Sequence, residues 1–279
     1  MDEHFFICNG KFFISGKPII SSGNRGLRFG DGLFETMRMQ EGRILNAELH
    51  FDRLFKGLKL LQFELEKYFT SNFLSEKINH LLRKNNITEN ARIRLMIFRG
   101  EGGIFDIKNN FPNYIIEMWP LSEKIKLNES GLVIDVFPDA KKSCDLFCNL
   151  KSNNYLPYAM AGLFVKKNKL NDALILNTYD RICESAIANI FIIKEKNIIT
   201  PPLSEGCVAG IMRQWLLEKN GFKNFVIIEK QLSLADVLSA DELFLTNSIH
   251  PVRWVKSFKE KEYGNEKVKE IFKYILANI

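Results

Sequence analysis

The stretch FCNLKSNNYLPY, residues 147–158, sets one lysine, Lys151, among apolar, amide and aromatic neighbours. Most other lysines lie in mixed, charged surroundings such as FVKKNKLND, whereas the nearest acid before Lys151 along the chain is Asp145. A lone lysine ordinarily reads as solvated surface. Held in a dry pocket with its proton affinity lowered, it gains another use, because the neutral amine can attack a carbonyl. That reading needs companions elsewhere in the chain.

The bulk numbers set the frame. A chain of 279 residues, 46% hydrophobic and 26% charged, is globular and long enough for one large domain or two ordinary ones. The net charge of +6 is spread among acids, as in EKVKEIFKY, so no nucleic-acid partner is indicated. MDEHFFICNG lacks the basic start and apolar run of a signal peptide, and no apolar stretch approaches the roughly 20 residues of a membrane span. A cytoplasmic protein with no membrane partner is expected. Cys8, Cys144, Cys148, Cys183 and Cys207 are an odd set without a CxxC pair, which reads as reduced thiols and no metal site.

Along the chain, FFIC and KFFI flank Asn9-Gly10, a strong hairpin signal. NAELHFDRLFKGLKLLQF reads as a helix with Asn46 as N-cap and a stripe of Phe51, Leu54, Phe55, Leu58 and Leu61. SNFLSEKINHLLRKNN reads as a second helix, and RIRLMIF and NYIIEMW as strands around the Gly-rich RGEGG. After a polar linker the texture changes to short apolar runs, GLVIDVF, DALILN, AIANIFII and FVIIEK, with helices after Lys151, through GIMRQWLLEKNG and at the C-terminus. The expectation is α/β (α+β) with two domains: residues 1–118, a linker over 119–129, and residues 130–279.

If the carbonyl that Lys151 attacks belongs to pyridoxal 5'-phosphate, three further groups are required. The phosphate needs backbone N–H groups at a helix start, hydroxyls and an arginine; the ring nitrogen needs a carboxylate; the ring needs packing on both faces. Arg53 in HFDRL shares one line of its helix with His50 and Gly57, although by itself it also reads as an exposed arginine opposite the apolar stripe. Glu184 in RICESAIANIFII stands just before a strongly apolar strand. GCVAGIMRQW leads glycines into a helix, and LTNSIHPVRW offers Thr246, Asn247 and Ser248 after a strand. Each of these alone has an ordinary structural explanation.

In series, RFGDGLFETMR, HFDRL, LKSNNYL, ICESAIANIF, GIMRQ and TNSIHPV resemble the fold-type IV pyridoxal-phosphate enzymes, the class-IV aminotransferases, from about residue 5 to about 255. The resemblance implies that Lys151 is the Schiff-base lysine and Glu184 the partner of the pyridine nitrogen. It implies Arg53, the backbone of Ile211 and Met212, Asn247 and Ser248 around the phosphate, and Tyr155 against the cofactor. It also implies a smaller N-terminal domain, a larger C-terminal domain with a barrel-like sheet, a small-molecule amino substrate and a homodimer.

Within that family, Thr36 in GDGLFETMR, the KSNN spacing, RGEGG and NSIHPV resemble 4-amino-4-deoxychorismate lyase, and Thr36 joins Lys151 and Glu184 as a catalytic candidate. The continuation IFDIKNN departs from the lyase pattern, and Asn154-Tyr155 echoes branched-chain aminotransferases. An amino-acid transaminase is therefore the alternative, and a binding module that kept the fold a remote one.

Overall fold

The computed structural model describes residues 4–105, 109–121, 124–219 and 224–279. The start of the chain (1–3) and parts of IFDIKNN, of the polar linker and of the end of the helix expected through Gly221 lie outside the described residues. The chain divides into two compact units, one of residues 1–124 with 151–155, the other of 125–150 with 156–279.

The first unit carries strands β1 (Phe5–Cys8) and β2 (Lys11–Ile14), a short helix α1 (Arg25–Phe29), β3 (Gly32–Gln40), β4 (Arg43–Ile44), helices α2 (Ala47–Leu60) and α3 (Ser71–Lys84), and β5 (Ala91–Phe98) and β6 (Asn113–Pro120). The hairpin forms as the sequence implies: Cys8 faces Lys11, and Asn9 and Gly10 take the positive φ values, 46° and 81°, of a tight turn. The six strands make an antiparallel sheet in the order β2-β1-β6-β5-β3-β4.

Helices α2 and α3 cover one face of that sheet. Leu54 and Leu58 of α2 and Leu74, Ile78 and Leu81 of α3 are buried, each contributing about 1.5–3 kcal/mol. Asn46 does not cap α2 as expected; it adopts a left-handed conformation (φ 51°) and makes no side-chain cap bond. Thr70 does cap α3, accepting from the Phe73 N–H.

The residues around the lysine also belong to this sheet. Phe34 N–H donates to the Lys151 carbonyl and Asn153 N–H to the Gly32 carbonyl, both at 2.9 Å, so the segment pairs antiparallel with the start of β3.

The second unit carries β7 (Leu132–Lys142), α4 (Leu156–Lys167), β8 (Asp172–Asn177), β9 (Ile182–Ser185), β10 (Asn189–Lys194), β11 (Asn197–Thr200), α5 (Ile211–Lys219), β12 (Val226–Glu229), α6 (Leu234–Leu238), β13 (Glu242–Thr246), β14 (Arg253–Phe258), β15 (Lys261–Glu262) and α7 (Glu266–Asn278). Its sheet runs β12-β11-β10-β13-β14-β7-β8-β9 and mixes parallel and antiparallel pairs. The two ends of that path meet, because Ile182 at the start of β9 bridges Leu232, just beyond β12. The sheet therefore curls into a barrel-like wall. Its core is aliphatic, with Leu174, Ile190, Leu243, Leu245, Val255 and Phe258 buried together.

Gly32 is fixed by close approach. A Cβ there would stand 2.1 Å from the Ile97 carbonyl oxygen and 2.5 Å from Asn153 Nδ2. Gly32→Ala is expected to lose about 2 kcal/mol or more on urea unfolding, since backbone must move. Gly162→Ala, whose added carbon meets nothing within 4 Å, is the control and is expected to gain up to about 1 kcal/mol. Equal effects of the two substitutions would refute the close-packing account.

Candidate active site

In the first unit the chemistry gathers around β3, where alternate residues face opposite sides. Phe34 and Thr36 share one face and Glu35 points to the other. The Lys151 ammonium lies 4.5 Å from the centre of the Phe34 ring and 5.8 Å from that of Tyr155, and the two rings meet edge to face at 5.3 Å. Such contacts fix the lysine stem against aromatic surfaces. The Arg94 guanidinium sits 4.3 Å from the same Phe34 ring. Arg94 also lies opposite Thr36 in the β3–β5 register, with Glu117 beyond it on β6 and Arg38 and Arg92 one row along. Thr36 thus occupies a half-buried position on a face with three arginines and one glutamate.

On the opposite face Glu35 is 2% exposed and accepts from His50 Nδ1 at 2.6 Å and from Arg53 Nε at 2.8 Å, with Arg53 Nη2 on its second oxygen. Burial acts to raise the Glu35 pKa, but the charge of Arg53 and the hydrogen bonds from Arg53 and His50 outweigh it and bring the pKa down to about 2. Burial lowers that of His50, which stays neutral and donates its Nδ1 proton. Arg53 is accordingly a clamped side chain and not the exposed arginine that its helix position alone allows. Helical spacing puts His50 and Arg53 on one line but gives no hint of Glu35, the residue that joins them.

Arg99 of RGEGG serves structure. It donates to Asp31 at 2.8 Å and lies 4.4 Å from the centre of the Phe63 ring, while Arg25 holds the other Asp31 oxygen.

In the second unit Glu184 is placed within β9 and is 3% exposed, buried instead of standing at a strand end. Its Oε1 accepts from Lys142 Nζ at 2.7 Å and from the Tyr158 hydroxyl at 2.6 Å, and its Oε2 from the Val208 N–H at 2.9 Å. Neither Lys142 nor Tyr158 stands out in the sequence. Tyr158 is within sight as the residue one helical turn beyond Tyr155, but Lys142 carries no local signal.

Val208 begins the run into α5. Asn189 Nδ2 donates to the Val208 carbonyl, and a Cβ on Gly210 would overlap Asn189 Oδ1 at 1.8 Å. Ile211 and Met212 open the helix, both buried. Thr246, which pairs with Asn189 across β10 and β13, has a buried hydroxyl with no hydrogen-bond partner. Asn247 accepts from the N–H groups of Ile249 and His250 and donates to the Ile187 carbonyl, and Ser248 is half-buried beside it.

Comparison with known proteins places this arrangement. A sequence model of the family "Amino-transferase class IV" matches residues 32–258. The chain belongs to the class IV amino-transferase family. It is similar to a Methanocaldococcus jannaschii protein provisionally named a branched-chain-amino-acid aminotransferase, at 29% identity over 95% of this chain and 91% of that protein. It is similar as well to the aminodeoxychorismate lyase of Bacillus subtilis, at 27% identity over 92% and 88%. The crystal structure of the Escherichia coli branched-chain amino acid aminotransferase superposes with a TM-score of 0.88 at 22% identity, covering 99% of this chain and 94% of that one, which shows the two-domain fold-type IV architecture.

Membership makes the chain a pyridoxal-phosphate-dependent enzyme acting on small amino compounds. The residues present fit that cofactor. A phosphate suits the unpartnered Thr246 hydroxyl beside a glycine-led helix start, a carboxylate buried in β9 suits a protonated ring nitrogen, and the lysine has the aromatic surroundings already described.

The Glu35 cluster makes a pH prediction. Its folded pKa of about 2 lies below the roughly 4.3 of an unfolded glutamate, so its stabilisation is complete above about pH 5 and is lost as pH falls toward about 2. Neutral His50 acts in the same direction, since the unfolded chain takes that proton first as pH falls through about 6.5. Glu35→Gln should cost about 3–5 kcal/mol at neutral pH and flatten the acid limb of the stability curve. An unchanged acid slope in denaturant titrations would remove the cluster from this role.

Proposed function

We propose that this enzyme is a 4-amino-4-deoxychorismate lyase, releasing pyruvate and leaving 4-aminobenzoate. One observation carries the choice: Thr36 lies two residues beyond Phe34 on the sheet face where the Lys151 ammonium rests, beside Arg94. Two residues along a strand are about 7 Å, the span of a small ring. A hydroxyl and an arginine there suit a polar dicarboxylate better than an aliphatic side chain, since a buried hydroxyl without a partner costs about 1–3 kcal/mol.

In this reading Lys151 would hold the cofactor, and its amine would take the proton from the substrate carbon bearing nitrogen. Bound pyridoxal phosphate supplies the electron sink for the charge so created. Glu184 holds the proton on the ring nitrogen, while Arg53, the Ile211 and Met212 N–H groups and Ser248 bind the phosphate. Tyr155 packs against the ring. Glu35 keeps Arg53 turned to its task, and Thr36 donates to the ether oxygen as the carbon–oxygen bond breaks and enolpyruvate leaves. A role in folate synthesis and residence in the cytoplasm follow from this assignment.

The transaminase reading keeps a specific support, the 29% identity to the provisionally named archaeal aminotransferase. There Lys151 returns the proton and a keto acid is released. A homodimer belongs to either reading. Leu156, Met160 and Leu163, 67%, 45% and 61% exposed, form a stripe along α4 that a second copy would cover.

Three substitutions and one assay test the proposal. Lys151→Ala should abolish turnover and the borohydride-trapped label, and a label on another lysine would refute the assignment. Glu184→Gln should slow turnover far more than threefold, a change of less than about 1 kcal/mol. Thr36→Gly should depress aminobenzoate formation more than any transamination. Rapid 2-oxoglutarate-dependent turnover of leucine, with no aminobenzoate from aminodeoxychorismate, would replace the lyase by the transaminase.

A further inference from the structure

Glu184 lies buried in β9 with a lysine at hydrogen-bond distance. Lys142, at the end of β7, has a side chain only 10% exposed. Its ammonium donates to Glu184 Oε1 at 2.7 Å and to the Cys148 carbonyl at 3.0 Å, and stands 5.3 Å from the centre of the Tyr158 ring. The two hydrogen bonds take two of its three donors. Burial works against its charge, but the Glu184 carboxylate raises its pKa overall, so the cation is kept.

A carboxylate offers about four acceptor positions. On Glu184, Lys142 and Tyr158 take the two on Oε1 and the Val208 N–H takes one on Oε2. One position on Oε2 remains. A neutral donor at the Lys142 place would satisfy the geometry equally well, so the charge needs its own explanation.

We propose that Lys142 is a positioning residue for Glu184, holding it as an ionised carboxylate with one Oε2 position open to the N–H of a protonated ring nitrogen. The inference rests on the assignment of Glu184 to the cofactor ring. Without the cation, a carboxylate 3% exposed takes up a proton more readily, and the acid that results is a poor acceptor for that N–H. The acceptor is then lost at low pH and recovered at high pH.

The remaining groups facing Glu184 leave that window clear. Burial pushes Cys183 well above the ordinary thiol range, Cys207 to about 12, and Cys148 upward as well, so these thiols stay neutral. Tyr158 contributes a neutral hydroxyl. Arg213 on α5 is engaged by the Pro201 carbonyl and Glu229.

The experiment titrates pyridoxal phosphate into apo forms of wild type, Lys142→Met, Lys142→Arg, Tyr158→Phe and Glu184→Gln, and records affinity and the bound-cofactor absorption spectrum from about pH 5.5 to about pH 8.5. For Lys142→Met the affinity ratio to wild type should be severalfold worse at the acid end than at the alkaline end, because without the cation the carboxyl takes up a proton there and the acceptor is lost. At the acid end its spectrum should match that of Glu184→Gln. Lys142→Arg should stay within about threefold of wild type at every pH, and Tyr158→Phe should give a ratio that changes less with pH than that of Lys142→Met, because a full charge outweighs one neutral hydrogen bond. A flat ratio for Lys142→Met, or an arginine variant that behaves like the methionine one, overturns the proposal. If Lys142→Met does not fold, Lys142→Gln carries the same comparison, having a donor without the charge. A Glu184→Gln protein with wild-type affinity and spectrum refutes the Glu184 assignment itself, a separable outcome.

Discussion

Two backbone hydrogen bonds decide where Lys151 stands: Phe34 N–H to the Lys151 carbonyl and Asn153 N–H to the Gly32 carbonyl. They tie a segment from the middle of the sequence to a sheet built from the first 120 residues. Strand pairing fixes register, and register fixes which face each side chain takes. A slip of one residue would turn Phe34 and Thr36 away from the lysine and bring Glu35 in their place. The requirement for glycine at position 32 is the steric record of that pairing, since the strand on one side and Asn153 on the other leave no room for a Cβ.

The same sheet separates two kinds of work. One face of β3 presents an aromatic ring, a hydroxyl and neighbouring arginines. The other presents Glu35 to α2, where Arg53 neutralises it and His50 donates a hydrogen bond. Taking these charges out of water is costly, and apolar residues of similar size would often be as stable. Their retention is best explained by position: an arginine gripped through two nitrogens by a buried carboxylate has lost its rotamer freedom before any ligand arrives.

Much of this is legible in the sequence because it is local. The Asn9-Gly10 hairpin, the α2 stripe, DALILN as a strand and the starts of α3 and α5 follow from period and turn chemistry, which act over a few residues. What sequence hides is non-local. GDGLFETMRMQ reads as a motif and not as the nine-residue strand it forms, since its burial on both sides masks any alternation. Glu184 reads as preceding a strand because β9 is four residues long, too short for a periodic signal. Composition makes Asn46 a cap, yet its left-handed backbone serves the turn instead. Lys142 lies 42 positions before Glu184 and Glu35 lies 18 before Arg53, and no spacing rule links them.

The run from Leu203 to Gly210 shows how such distant contacts prepare a helix start. Glu205, 1% exposed, accepts from Arg181 and Asn177. Asn149 donates to the carbonyls of Leu203 and Cys207. Glu184 receives the Val208 N–H and Asn189 donates to the Val208 carbonyl. Side chains from separate parts of the chain therefore hold a run whose regular structure is one short turn, Leu203–Glu205. A loop free to move would spend binding energy on becoming ordered, whereas one held at this many points presents the first turn of α5 already aimed. Glu184 belongs to this bracing and to the proposed ring contact at once, through the two acceptor positions of Oε2. The carboxylate proposed to meet the ring nitrogen is thus fixed by the backbone it helps to fix, and a change at Glu184 acts on the helix start as well as on the proposed acceptor.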